Sequence, residues 1–290
     1  MAEVENILSV QNILGEGPLW NIEEQALYWV DLRSDTIHRF WPSTQTHEVF
    51  NMEIRVGSLA FRASGGLVLA TSNGFNYWDP KTNKLDFIAN PEAGKKGSAF
   101  NDGKVDRQGR FWAGTVVIGE KKPQNALYRL DPNGDVHTMI TGVTISNGIG
   151  WSPDNKTMYF VDSWQYLIYA YDFELDTGAI SNKRCFVKVP EEGGFPVPDG
   201  LTVDSEGYVW CALFGGFRVV RYDPSGKINM EIRLPISHPT SCIFGGENLN
   251  ELYITTARLT NEQRQSHPLA GNLFRVKTNV QGLPEPKFGG

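Results

Sequence analysis

The chain has 290 residues, 40% of them hydrophobic and 12% aromatic, enough for a substantial core in one large domain or two ordinary ones. A net charge of −6 with no basic stripe argues against a general nucleic-acid surface. No apolar stretch approaches the ~18 residues that span a bilayer, and Met1-Ala2-Glu3-Val4-Glu5 sets no basic segment before an apolar run, which points away from a secretory signal and toward the cytoplasm.

In chain order, one short apolar phrase returns six times: Leu27-Tyr28-Trp29-Val30-Asp31, Leu67-Val68-Leu69-Ala70, Phe111-Trp112-Ala113-Gly114, Met158-Tyr159-Phe160-Val161-Asp162, Val209-Trp210-Cys211-Ala212 and Leu252-Tyr253-Ile254-Thr255. Between the markers Tyr28, Val68, Phe111, Tyr159, Val209 and Tyr253 the steps are 40, 43, 48, 50 and 44 residues. A β-rich period of this size is that of four-stranded propeller blades. The fold expected is therefore all-β, a six-bladed β-propeller with a central channel, formed as a single domain over residues 1–290.

A second strand phrase follows each first one, as in Phe75-Asn76-Tyr77-Trp78-Asp79-Pro80 and Val219-Val220-Arg221-Tyr222-Asp223-Pro224. Its apolar and polar side chains alternate, as in a strand with one buried face. Turn sequences such as Asp106-Arg107-Gln108-Gly109 and Asp204-Ser205-Glu206-Gly207 precede the first phrase, with glycine free to take the positive φ of a tight hairpin. The stretch from about Asn6 to Gly17 is strand-like without a blade before it, and is expected to complete the last blade and close the ring. The only helical turn expected is at Thr260 to Ser266.

Ten to twelve residues before the markers lie Glu16, Ser58, Asn101, Asn147, Asp199 and Ser241. In a propeller the residue opening each innermost strand lies at one mouth of the channel. Four of these six carry a carboxylate or amide oxygen, which together form an all-oxygen set suited to a hard divalent cation. Asn-Gly and Asp-Gly pairs are ordinary turn formers taken singly; it is the shared phase in four repeats that points to a site. Glycines beside them, Gly15, Gly17, Gly103, Gly148 and Gly200, let backbone approach closely.

Other candidates carry less. The five histidines lack ligand spacing, most of the eight tryptophans fall in the repeat phrases and read as core, and Gly-x-Ser-x-Gly is absent. Cys185, Cys211 and Cys242 are an odd number without metal spacing and read as reduced thiols.

Over nearly its whole length the chain resembles the sugar-lactone lactonases, the gluconolactonase, regucalcin and luciferin-regenerating-enzyme family. The resemblance is carried by Gly15-Glu16-Gly17-Pro18-Leu19-Trp20, Asn101-Asp102-Gly103-Lys104-Val105-Asp106, Gly109-Arg110-Phe111-Trp112-Ala113-Gly114-Thr115, Ile145-Ser146-Asn147-Gly148, Pro198-Asp199-Gly200 and Cys242-Ile243-Phe244-Gly245-Gly246. It implies a six-bladed propeller with one divalent metal held by Glu16, Asn147 and Asp199. It also implies that Asp199 is the general base, that Asn101 contacts substrate, and that the reaction is hydrolysis of a sugar lactone to its aldonic acid. Oxygen ligands fit Ca²⁺, Mn²⁺ and Mg²⁺, and leave Zn²⁺ and Fe²⁺ open.

The chain also departs from regucalcin-like members. Ala99 stands where they place an arginine, Val116 replaces a methionine, and Val117-Ile118-Gly119-Glu120 offers no clear match for an acidic substrate contact, so which lactone is used stays open, as does whether Glu120 or Trp164 reaches it. Two alternatives share the fold: a phosphotriester or organofluorophosphate hydrolase, and a non-enzymatic propeller that binds calcium or protein.

Overall fold

Each repeat folds as one four-stranded antiparallel sheet, and six such sheets ring a central channel as a β-propeller. The computed structural model describes residues 3–258, 260 and 267–290. Apart from Thr260, the helical turn expected over 260–266 lies outside the described residues. The helical piece that is described is a single 3-10 turn at Ser163–Gln165. Among the described residues no helix is long and apolar enough to cross a membrane.

The inner strands of blades one to six are Gly15–Asn21, Val56–Phe61, Ser98–Val105, Ser146–Trp151, Val197–Val203 and Pro239–Gly245. The repeated phrase forms the second strand of each blade. Four of these second strands, beginning at Ala26, Leu67, Phe111 and Val209, hide every residue or all but the last, because they are flanked within the sheet and covered on both faces by neighbouring blades. The fourth strands alternate toward solvent, as at Thr46–Asn51 and Lys84–Ala89.

The core is divided into six apolar clusters, one at each blade-to-blade junction. Tyr159, Val161, Leu201 and Val209 join blades four and five. Trp20, Trp29, Ile243 and Tyr253 join blade six to blade one, with the rings of Trp20 and Tyr253 stacked at 5.2 Å. Burial at every seam of this kind is what drives the ring to close.

Closure also uses the N-terminal strand, though not over the stretch expected. Val4–Leu8 is the outermost strand of blade six, paired with Leu273–Lys277, and Glu5 meets Arg275 at 2.6 Å. The extended run then breaks, with Gln11 at φ 56°, and Gly15 already begins blade one.

At the hairpins between first and second strands, Asp106 and Asp204 do the same work. Asp204 Oδ1 accepts from the backbone of Glu206 and Tyr208, while Oδ2 accepts from Trp210 Nε1 and Arg221 Nε, each at 2.8 Å. Asp106 Oδ2 likewise accepts from Trp112 Nε1 and Arg110 Nε. Both carboxylates are fully buried.

Residues 278–290 run across this hairpin face. Ser205 N donates to Gln281 O, an Arg107 Nη donates to the Pro284 carbonyl, Phe288 N donates to Phe61 O, and Arg62 Nε donates to Gly290 O. On the way Glu285 meets Lys104 at 3.4 Å, both side chains largely buried.

Candidate metal centre

All six residues read as sharing one phase of the repeat lie near the start of their inner strands and are buried: Glu16, Ser58, Asn101, Asn147, Asp199 and Ser241. Every one of these strands carries a β-bulge at this level, between Glu16 and Leu19, Val56 and Ser58, Phe100 and Gly103, Ser146 and Ile149, Pro198 and Leu201, and Pro239 and Ser241. Bulges re-aim side chains and bend strands, and six in register turn this set toward the axis.

Glycine lets the bulged strands touch. A Cβ on Gly148 would lie 2.6 Å from the Asp199 carbonyl oxygen, and one on Gly200 would lie 2.0 Å from Ser241 Oγ. Blade four therefore abuts the backbone of Asp199 directly.

Asn147 is oriented by its neighbours. Its Nδ2 donates to Ser163 Oγ at 2.8 Å, and that hydroxyl donates to the Pro198 carbonyl at 2.7 Å. With its NH₂ so engaged, Oδ1 faces Asn101, whose Nδ2 donates to it at 2.6 Å and to the Ser146 carbonyl at 2.9 Å. One lone pair of Asn147 Oδ1 is left for a ligand. Ser163 lies in the 3-10 turn, outside the repeat, and the repeat gave no signal for it.

The electrostatics show a third carboxylate. Burial first, then the Asp199 and Asp102 carboxylates, hold Glu16 well above the usual carboxylate range, against the pull of Gly17 N–H and Arg55. Burial and Asp102 do the same to Asp199. Burial pushes Asp102 itself up to about 6, against Lys104 and the Gly103 N–H. Among the described residues no three His, Cys, Asp or Glu side chains form a metal-ligating cluster; the oxygen donors at this level of the channel strands are the carboxylates of Glu16 and Asp199, which raise each other's proton affinity together with Asp102, and the Asn147 amide. Ser58 Oγ is buried with no hydrogen-bond partner. Oxygen donors with surplus negative charge are what a hard divalent cation requires, and these residues fit one.

Elsewhere, the rings of His38 and His47 lie side by side on the third and fourth strands of blade one, both stacked on Trp29. His238 immediately precedes the inner strand of blade six, with its ring 4.5 Å from that of Phe214. Glu120 is turned to Lys122 and Gln124 of its own loop. Trp164 is half-buried, with Lys121 Nζ 3.5 Å from its ring centre and the Phe195 ring at 6.2 Å.

Residues 14–258 match the SMP-30/Gluconolactonase/LRE-like region. The chain belongs to this family. Within it, the chain is 35% identical over 298 residues to a protein named regucalcin from Xenopus laevis, covering 99% of each. It is 34% identical over 281 residues to "Putative sugar lactone lactonase YvrE" of Bacillus subtilis, covering 96% of each. A solved luciferin-regenerating enzyme superposes with a TM-score of 0.91 at 30% identity, covering 100% of both chains. The SMP-30/gluconolactonase match begins one residue before Gly15 and ends one residue after Ala257, so it takes in all six inner strands.

The carboxylate group gives a pH prediction for the metal-free protein. Asp102 binds its proton more tightly folded than unfolded, so between about 6 and the ordinary carboxylate range near 4 its contribution to folding grows more favourable as pH falls. His38, held down to about 4 by burial and by His47, acts oppositely in the same window. Comparing wild type with Asp102→Asn cancels the histidine. In chelator, Asp102→Asn is expected to melt higher than wild type at pH 7.5, with the gap shrinking toward pH 5; a gap constant with pH would contradict the assignment.

Proposed function

We propose that the protein hydrolyses a sugar lactone to the aldonic acid, using one divalent cation held by Glu16, Asn147 and Asp199. The observation that supports the reading is a pair of buried, mutually repelling carboxylates and an oriented amide at the same level of the channel strands, in a chain of the gluconolactonase family. Lys104, the cation beside Asp102, is already engaged by Glu285, which leaves the group short of positive charge.

The cation, when bound, supplies a Lewis acid that polarises the lactone carbonyl. Asp199 directs a water to the acyl carbon and takes its proton. The ring C–O bond then breaks, the proton passes to the departing ring oxygen, and the hydroxyl stays on the acyl carbon as the carboxyl of the product. Ser163 keeps the Asn147 amide from flipping, so that its free Oδ1 lone pair would serve the cation, and Asn101 would donate to substrate by giving up one of its present hydrogen bonds. The three cysteines are unpaired, which fits a reducing cytoplasm.

The test is to strip the protein with a chelator and follow proton release from five- and six-membered sugar lactones, with and without each divalent ion. Activity restored by one ion supports the reading and names the metal. Tight metal binding with no lactone hydrolysed, or with phosphotriesters hydrolysed instead, overturns it.

A further inference from the structure

Arg55 stands immediately before the inner strand of blade two, three residues from Ser58 in the channel. It is half-buried, and its Nε is buried without a hydrogen-bond partner. Arg218 and Arg275 also have a buried Nε without a hydrogen-bond partner, but each is held in an ion pair, by Glu231 and Glu5, and the buried Arg110, Arg129 and Arg221 are engaged by Asp106, Asp131 and Asp204. Burying a guanidinium costs free energy that a partner normally offsets. No carboxylate lies within ion-pair distance of Arg55 among the described residues. The charged groups facing it are Asp35 and Arg33 of the blade-one turn and Glu16 of the channel.

Its position relative to the site follows from the packing of blades two and three. A Cβ on Gly57 would lie 2.3 Å from the Phe100 carbonyl oxygen and 2.6 Å from that of Asn101, so the two inner strands touch at this level. Arg55, two residues from Gly57, and Ala99, one residue from Phe100, therefore stand at similar heights on adjacent strands. Ala99 is buried and brings no charge.

We infer that Arg55 is the residue that grips the substrate's oxygens, supplying from blade two the guanidinium that position 99 lacks on blade three. Its ligand class is the vicinal hydroxyls of an aldonolactone and the carboxylate of the opened acid, which a planar, forked donor holds in bidentate fashion. The inference rests on the lactonase reading and specifies the substrate contact within it.

The experiment compares wild type, Arg55→Met, Arg55→Lys and the double variant Arg55→Met/Ala99→Arg. Methionine keeps the apolar stem and removes the fork. For Arg55→Met, KM for the best lactone is expected to rise about tenfold or more while kcat stays within a few-fold. Calorimetric affinity for the corresponding aldonate should fall in parallel, and calorimetric affinity for the activating ion should hold or tighten, since a cation near Glu16 has gone. Arg55→Lys should fall between, and the double variant should recover part of the aldonate affinity. Wild-type KM and aldonate affinity in a folded Arg55→Met protein overturn the inference. So does a weakened metal affinity with KM unchanged, which would make Arg55 a support of Glu16 alone. A wild-type protein inert toward every lactone overturns the functional reading beneath it; an active wild type with an indifferent Arg55 overturns only this step.

Discussion

Asp199→Asn is expected to lower lactone hydrolysis by about 10³-fold or more while leaving the propeller folded. That loss corresponds to about 4 kcal/mol of barrier. The substitution is nearly isosteric, so the close contact of Gly148 with the residue-199 carbonyl survives. It removes the base, and it replaces a charged metal ligand by a neutral one. Glu16→Gln should resemble it in activity through loss of the ligand. Stability should move the other way. Glu16, Asp102 and Asp199 repel one another in a desolvated space, and removing one charge relieves that repulsion when no cation is present. In chelator at neutral pH, Asp199→Asn should therefore melt at or above wild type. Hydrolysis within tenfold of wild type, measured by pH-stat on the metal-reconstituted variant, would remove Asp199 from the chemistry. A variant that melts well below wild type in chelator would show that the carboxylate has a structural partner.

The largest loss of stability is expected at Asp204. Alanine there strands two backbone N–H groups of the hairpin, the Trp210 indole and the buried face of Arg221, with Glu206 at the exposed edge left as that arginine's remaining acid. Breaking a buried pair by removing one partner costs about 3–5 kcal/mol, on the order of 10 °C in Tm for a chain of this size. Asp204→Asn separates two causes. Its carbonyl oxygen can still cap the hairpin, but its NH₂ points donors at Trp210 and Arg221, which are donors themselves. If the buried network carries the stability, asparagine should cost nearly as much as alanine by thermal denaturation. An asparagine variant within about 1 kcal/mol of wild type would assign the effect to the turn. Asp106, with Arg110 and Trp112, should repeat the result in blade three.

The sequence made the blades legible because each second strand is a dense apolar phrase with a fixed relation to its turn, and the packing demands that phrase at every seam. The same phase led to Glu16, Ser58, Asn101, Asn147, Asp199 and Ser241, since the residue opening each inner strand is fixed by counting back from a buried marker. Asp102 escaped that count. Strand alternation assigns it to the face opposite Asn101, and only the bulge between Phe100 and Gly103 breaks the alternation and lets both contribute to the channel. Ser163 and Arg55 lie just outside the repeated elements, where periodicity says nothing and tertiary contacts decide. The closing strand was legible in kind but not in extent. A propeller needs its open edge covered, but the left-handed Gln11 that ends the extended run is an individual residue's conformation with no sequence pattern to announce it.

The segment 278–290 has a consequence for traffic. Glu285 and Pro286 share with Asp102, Gly103, Leu201 and Ser241 the lining of a cavity of ≈ 20 Å³, room for about one water. With room for about one water at that cavity, a sugar-sized molecule would use the other end of the ring both to arrive and to depart. On the proposed reading, a product that lingers there would compete with the next substrate, and turnover would follow how quickly that end is cleared.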